Sequence, residues 1–131
     1  MAMPTLQQLR IAIESSWAAD TSFDAAEWSV ANPARGQCVV TSLIVQHYFD
    51  GELCKVTTTF NGRPESHYFN LLPSGRTVDF SGQQYPVGQT LTPSEVNLHG
   101  FASVRDKMLN EPDTKRRYEL LLGRVSRKLG A

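Results

Sequence analysis

Few side chains in these 131 residues are equipped for chemistry: the chain has two cysteines and three histidines. Two cysteines are too few for a secreted disulfide scaffold, although a single pair stays open. Charge of one sign is also lacking. Thirteen Lys+Arg balance 13 Asp+Glu, and a net charge of zero excludes a globally basic nucleic-acid footprint. No window approaches about 18 consecutive apolar residues, so no membrane span is expected. Met1-Ala2-Met3-Pro4-Thr5 has no cationic stretch leading into an apolar run, so no signal peptide is expected either. These absences together predict a cytoplasmic protein with reduced thiols. The excess of six Lys/Arg over three Asp/Glu in residues 111–131 reads as the solvated face of a terminal helix.

What is present is ordinary globular composition, 40% apolar and 20% charged, which argues against disorder. The length is that of one domain, residues 1–131, since domains mostly run about 100–200 residues. A chain of this size can bury about two thirds of its unfolded surface, so it requires no disulfide or metal staple.

Thr5-Leu6-Gln7-Gln8 has the form of a capping box, and Leu6, Leu9, Ile13 and Trp17 follow at helical spacing. They predict a first helix of about three turns. A second, largely buried helix is expected from about Gly36 to Phe49, with Val39, Val40, Leu43, Ile44 and Tyr48 in a wide apolar stripe and Gly51 just past its end. The period then changes. Leu53, Cys54 and Val56 to Phe60 are β-prone, Asn61-Gly62 is a turn signal, and Ser66 to Leu71 is the next strand candidate. Pro73-Ser74-Gly75 turns the chain and Thr77-Val78-Asp79-Phe80 returns it. Residues 81–93 read as a long surface loop, and Pro112 opens a final helix with Tyr118, Leu121, Leu122, Val125 and Leu129 on one face. The fold class is therefore α+β, with helices packed on a small antiparallel sheet.

Position narrows the chemistry. Cys38 falls in the first turn of the second helix, where unpaired amides and the helix dipole favour a thiolate. A thiol there becomes a nucleophile if a histidine takes its proton and a third group holds that histidine. His67 begins one strand and Asp79 lies on the next. If the turn around Pro73 leaves three or five residues unpaired, the two fall directly opposite each other, within reach of a hydrogen bond. A four-residue loop would put Asp79 opposite Tyr68 instead. His47, nine residues beyond Cys38 on the same helix, points to the other side, and His99 sits in a loop without partners. Cys54 reads as a small buried hydrophobe. No C-x₂-C or H-x₃-H spacing occurs, so no metal and no cofactor is expected.

The stretch Asn32-Pro33-Ala34-Arg35-Gly36-Gln37-Cys38-Val39-Val40-Thr41-Ser42-Leu43 resembles the YunG-like family of small bacterial proteins. Gly51-Glu52-Leu53, Ser66-His67-Tyr68-Phe69-Asn70-Leu71-Leu72-Pro73-Ser74-Gly75, Val78-Asp79-Phe80 and Arg117-Tyr118-Glu119-Leu120-Leu121 carry the same resemblance. It implies a papain-like/transglutaminase-like cysteine-enzyme core, with Cys38 as nucleophile, His67 as base and Asp79 as orienter. The chain departs from the family pattern at Phe69-Asn70, where the family has Trp-Asn. It departs again at Ser81-Gly82, where Thr-Arg is usual, and so lacks an arginine that would contact a substrate carboxylate or phosphate.

The expected activity is acyl transfer on an amide, isopeptide or ester. The Cys38 N–H and a side-chain amide from Gln37 or Asn32 would face the oxyanion, and Trp28 or Tyr68 would wall the site. The expected partner is a small-molecule or peptide-like substrate, with no nucleic acid or membrane. The rival expectation is a non-catalytic binding module that retains the fold, for which Cys38 would be buried and inert. A redox pairing of Cys38 with Cys54 is disfavoured by the absence of a C-x-x-C arrangement.

Overall fold

A computed structural model describes residues 3–130. Among them are four α-helices, α1 (Leu6–Glu14), α2 (Cys38–Phe49), α3 (Val104–Asn110) and α4 (Pro112–Lys128). A four-stranded antiparallel sheet completes the α+β fold: β1 (Glu52–Phe60), β2 (Arg63–Leu71), β3 (Thr77–Val78) and β4 (Thr92–Ser94), in the order β3-β2-β1-β4.

The capping box at Thr5 forms as its sequence predicts, with Gln8 N–H donating to Thr5 Oγ1 and Thr5 N–H to Gln8 Oε1. Helix α1 stops at Glu14, short of Trp17: Ser15 N–H still makes the helical bond to Ile11 O, but Ser16 N–H tightens to Ile13 O in a 3₁₀-type closing turn. Trp17 is nonetheless buried, and its indole N–H donates to Thr41 Oγ1 at 3.0 Å. Thus the apolar period identified a core residue while overrunning the helix.

Helix α2 is apolar nearly all round and runs through the middle of the molecule. Its Val40, Leu43 and Ile44 join Leu9 and Ile13 of α1, Leu121 and Val125 of α4, and Leu72 and Val78 beside the sheet in one core cluster. Asn70 on β2 ties sheet to helix by donating to Ser42 O at 2.9 Å. Asn61 and Gly62, both at positive φ, make the tight β1–β2 turn between the paired Phe60 and Arg63.

Four features depart from the sequence expectation. The turn after β2 is centred on Ser74, not Pro73: Leu72 N–H donates to Arg76 O, and Asn70 pairs with Val78. Strand β3 ends at Val78, so Asp79 lies just past it. The segment expected as a surface loop instead dips inward, through a 3₁₀ turn at Gly82–Gln84, and buries Ser81, Gln84 and Tyr85. Helix α3, capped by Ser103, was not anticipated.

No helix among the described residues is long and apolar enough to cross a membrane.

Candidate active site

Because β3 pairs only with Asn70 and Leu71, residues 63–68 of β2 have no β3 partner beside them. The start of α2 and the Gly82–Gln84 turn approach β2 there, enclosing a cleft of about 410 Å³ lined by Cys38, Val39, Tyr68 and Gln84 among others. A second hollow, of about 540 Å³ between α1 and the end of α4, has no cysteine or histidine in its lining.

His67 is fully buried, and its Nε2 donates to both carboxylate oxygens of Asp79, at 2.9 and 2.8 Å. The two are not directly opposite in the sheet. Extending the Asn70–Val78 register puts Asp79 two residues from that position, a diagonal on the same face. Shifting the turn centre by one residue changed the register by two, which preserves the face. Tyr85 packs edge-on against the imidazole, with centroids 5.3 Å apart.

With Nε2 taken by Asp79, Nδ1 is the nitrogen left for other partners. Gln84 Nε2 lies 3.3 Å from it, and the Cys38 sulfur is near enough to influence the charge of the ring. Burial acts to lower the pKa of His67, but the Asp79 hydrogen bond and the nearby thiol outweigh it and push the group up to about 9. Cys38 is only half-buried and opens onto the cleft, in contrast to the inert packing role that remained possible for it. Helix α2 has no side-chain cap at Gln37, so the Cys38 amide in its first turn is unclaimed by a capping group.

The remaining expected site residues divide. Tyr68 lines the cleft, and burial raises its phenol pKa. Trp28 lies outside the cleft lining, with its indole N–H bound to Pro33 O at 2.8 Å. Gln37 is fully buried; its Nε2 donates to Ala18 O and its Oε1 accepts from Thr21, so its side chain is committed to the turn before α2 and cannot meet an oxyanion. Asn32 Nδ2 donates to Gln84 O at 3.1 Å, bracing the turn that carries Gln84. His47 is exposed, and His99 sits in its loop at positive φ. Cys54 is half-buried on β1, and burial raises its thiol pKa. Among the described residues no three His, Cys, Asp or Glu side chains come together to hold a metal.

The side-chain amide that does face His67 is that of Gln84. Its Oε1 accepts from Gly36 N–H at 3.2 Å and from Arg35 Nη1 at 3.3 Å, which fixes Nε2 toward His67. Arg35 is buried, stacks 3.5 Å over the Phe60 ring and forks onto Glu65 and Asp24. Tyr85 donates its hydroxyl to the same Glu65.

The YunG protein family model matches residues 5–130. The chain belongs to the YunG family. It is 26% identical over 80 residues to the "Uncharacterized protein YunG" of Bacillus subtilis (strain 168), covering 61% of this chain and 63% of that protein. The alignment thus spans under two thirds of the relative's length. No solved structure matches this YunG-family chain.

Gly82 packs directly against the Asp79 carboxylate. A Cβ on Gly82 would sit 2.8 Å from Asp79 Oδ2 and 3.1 Å from Cγ, so the 3₁₀ turn packs on the carboxylate only with glycine here. Gly82→Ala is expected to push Asp79 aside, lower the His67 pKa and cost about 1 kcal/mol of stability. A histidine NMR titration with a thermal melt checks both.

Proposed function

We propose that this YunG-family chain is a cysteine-dependent acyl-transfer enzyme with a papain-like/transglutaminase-like arrangement. Cys38 is the nucleophile, His67 the base and Asp79 the group that orients it. The observation that carries the reading is the His67–Asp79 pair, whose second ring nitrogen is left to the Cys38 thiol and the Gln84 amide.

The raised pKa of His67 keeps the thiol's proton on Nδ1, and Sγ attacks the carbonyl carbon of an amide, isopeptide or ester. As the S–C bond forms, the carbonyl π pair moves onto oxygen. The Cys38 backbone N–H and Gln84 Nε2 are the donors for that oxyanion. With Nδ1 protonated, Gln84 Nε2 at 3.3 Å has no acceptor on the ring, and its N–H is free for the oxyanion. Collapse expels the amine or alcohol, which takes the proton from His67. Water or another acceptor then gives its proton to His67, attacks the thioester and releases Cys38. Asp79 holds the imidazole with Nε2–H directed at its carboxylate throughout.

Incubation with p-nitrophenyl acetate followed by peptide mass spectrometry tests this reading. Acetyl is expected on Cys38 and not on Cys54, and Cys38→Ser is expected to remove the label. Equal labelling of the two cysteines would favour a binding module without turnover.

A further inference from the structure

We propose that the cleft beside Cys38 takes an acyl donor bearing a carboxylate, held by Arg117. This rests on the acyl-transfer reading for the position of the reacting carbonyl, and on the cleft alone for the anion site.

Arg117 on α4 lines the same cleft as Cys38, and its side chain is only 2% exposed. Its guanidinium is incompletely used. Nε donates to Asp113 at 2.8 Å, while Nη1 and Nη2 reach Thr21 O and Thr114 Oγ1 only at 3.4 Å. A guanidinium has five N–H donors, so strong donors remain for a ligand.

Charge bookkeeping separates Arg117 from the other cleft cation. Arg35 faces two carboxylates, Asp24 and Glu65, and has no positive charge in reserve. Arg117 has a single carboxylate partner, Asp113, which lies outside the cleft lining, is 53% exposed and is shared with Arg116. The cleft lining is neutral overall, with Asp24 and Glu65 against Arg35 and Arg117, but both of its carboxylates are engaged by Arg35, while Arg117 shares its one exposed carboxylate with a second guanidinium. Above it, Phe23 is 78% exposed and lies 5.6 Å from the guanidinium, an apolar rim that strengthens an ion pair by excluding water.

Arg117 also connects to the nucleophile. The Thr21 carbonyl accepts from Arg117 Nη1, and the Thr21 hydroxyl donates to Gln37, which immediately precedes Cys38. The anion site and the thiol are thus held by one short stretch of structure. Arg117 supplies a guanidinium to the cleft from α4.

Glutarate, with its uncharged analogue glutaramide, tests the proposal in two readouts. The first is the side-chain Nε–H NMR signal of Arg117, which does not depend on Cys38 reactivity. Glutarate is expected to shift it saturably, and glutaramide is not. The second is protection of Cys38 from iodoacetamide, expected with glutarate only. Arg117→Gln is expected to weaken protection about tenfold or more, whereas Arg116→Gln should retain it. Two further variants cover the case in which Arg117→Gln fails to fold: Arg117→Lys should keep weakened protection, and Asp113→Asn should strengthen it. Equal effects of glutarate and glutaramide, or protection unchanged in Arg117→Gln and Asp113→Asn, would overturn the anion site and leave the nucleophile standing. A glutarate shift of Arg117 with Cys38 no more reactive than Cys54 would sink the acyl-transfer reading and keep the anion site.

Discussion

Replacing His67 with alanine is expected to slow iodoacetamide alkylation of Cys38 at neutral pH by about 10- to 100-fold, with Cys54 as an unaffected internal reference. The imidazole is fully buried, and burial alone would drive its proton off. Asp79 at 2.8 Å and the adjacent thiol reverse that effect and raise the group to about 9. A cationic ring therefore faces Cys38 throughout the neutral range, and each unit of such coupling is worth about 1.4 kcal/mol, a factor of ten.

The folded-state value lies above the ordinary 6.5, so the protonated ring stabilises the fold. That contribution is complete below about pH 6.5 and is lost as pH rises through about 9. Thermal unfolding across this window should fall further in the wild type than in His67→Gln. Asp79→Asn is expected to lower the His67 value in an NMR titration. Alkylation of Cys38 at the wild-type rate in His67→Ala would end the triad reading.

The His67–Asp79 contact was partly legible in the sequence: it needs only parity, which an odd-numbered loop preserves and a four-residue loop would have broken. Alternation puts both side chains on one face whether the turn centres on Pro73 or Ser74, and a diagonal pair is still within reach. The exact register depended on which residue Leu72 N–H would choose, and Arg76 O is not distinguishable from its neighbours by residue type. Gln84 was not legible for another reason. It meets His67 and Arg35 across separations of 17 and 49 residues, in a segment whose Gly, Pro and Gln content signals a loop but not its path. Burial of Ser81, Gln84 and Tyr85 follows from polar partners on distant elements, which hydrophobic periodicity does not register. Gln37 misled for the same reason: adjacency to Cys38 said nothing of Ala18 and Thr21, which claim its amide. Helix α3 is short and has no buried residues of its own, so no apolar stripe announced it.

Replacing Arg35 with methionine is expected to cost about 3–5 kcal/mol of unfolding free energy, a large share of the roughly 5–15 kcal/mol typical of a domain. The guanidinium is buried, forks onto Glu65 with two bonds of 2.7 Å, and contacts Asp24 at 2.9 and 3.0 Å. Removing it leaves two partly buried carboxylates without their counter-ion. Burial raises the Glu65 pKa, but Arg35 and the Tyr85 hydroxyl together hold that carboxyl below its usual range. In Arg35→Met the group should therefore protonate at higher pH. Arg35→Lys should recover little, because one ammonium cannot fork onto Glu65, reach Asp24 and serve Gln84 Oε1 at once. The double variant Arg35→Met with Glu65→Met should recover most of the loss, since the uncompensated charge and not the missing pair carries the penalty. Denaturant unfolding of the wild type, Arg35→Met, Glu65→Met and the double variant measures this cycle. The same substitution releases one of the two donors that aim Gln84 at His67, so acyl transfer to Cys38 should fall further in Arg35→Met than in a variant equally destabilised elsewhere in the core. A stability loss under about 1 kcal/mol, the range of exposed ion pairs, would mean that Arg35 does not anchor the turn and that Gln84 is held by Gly36 alone.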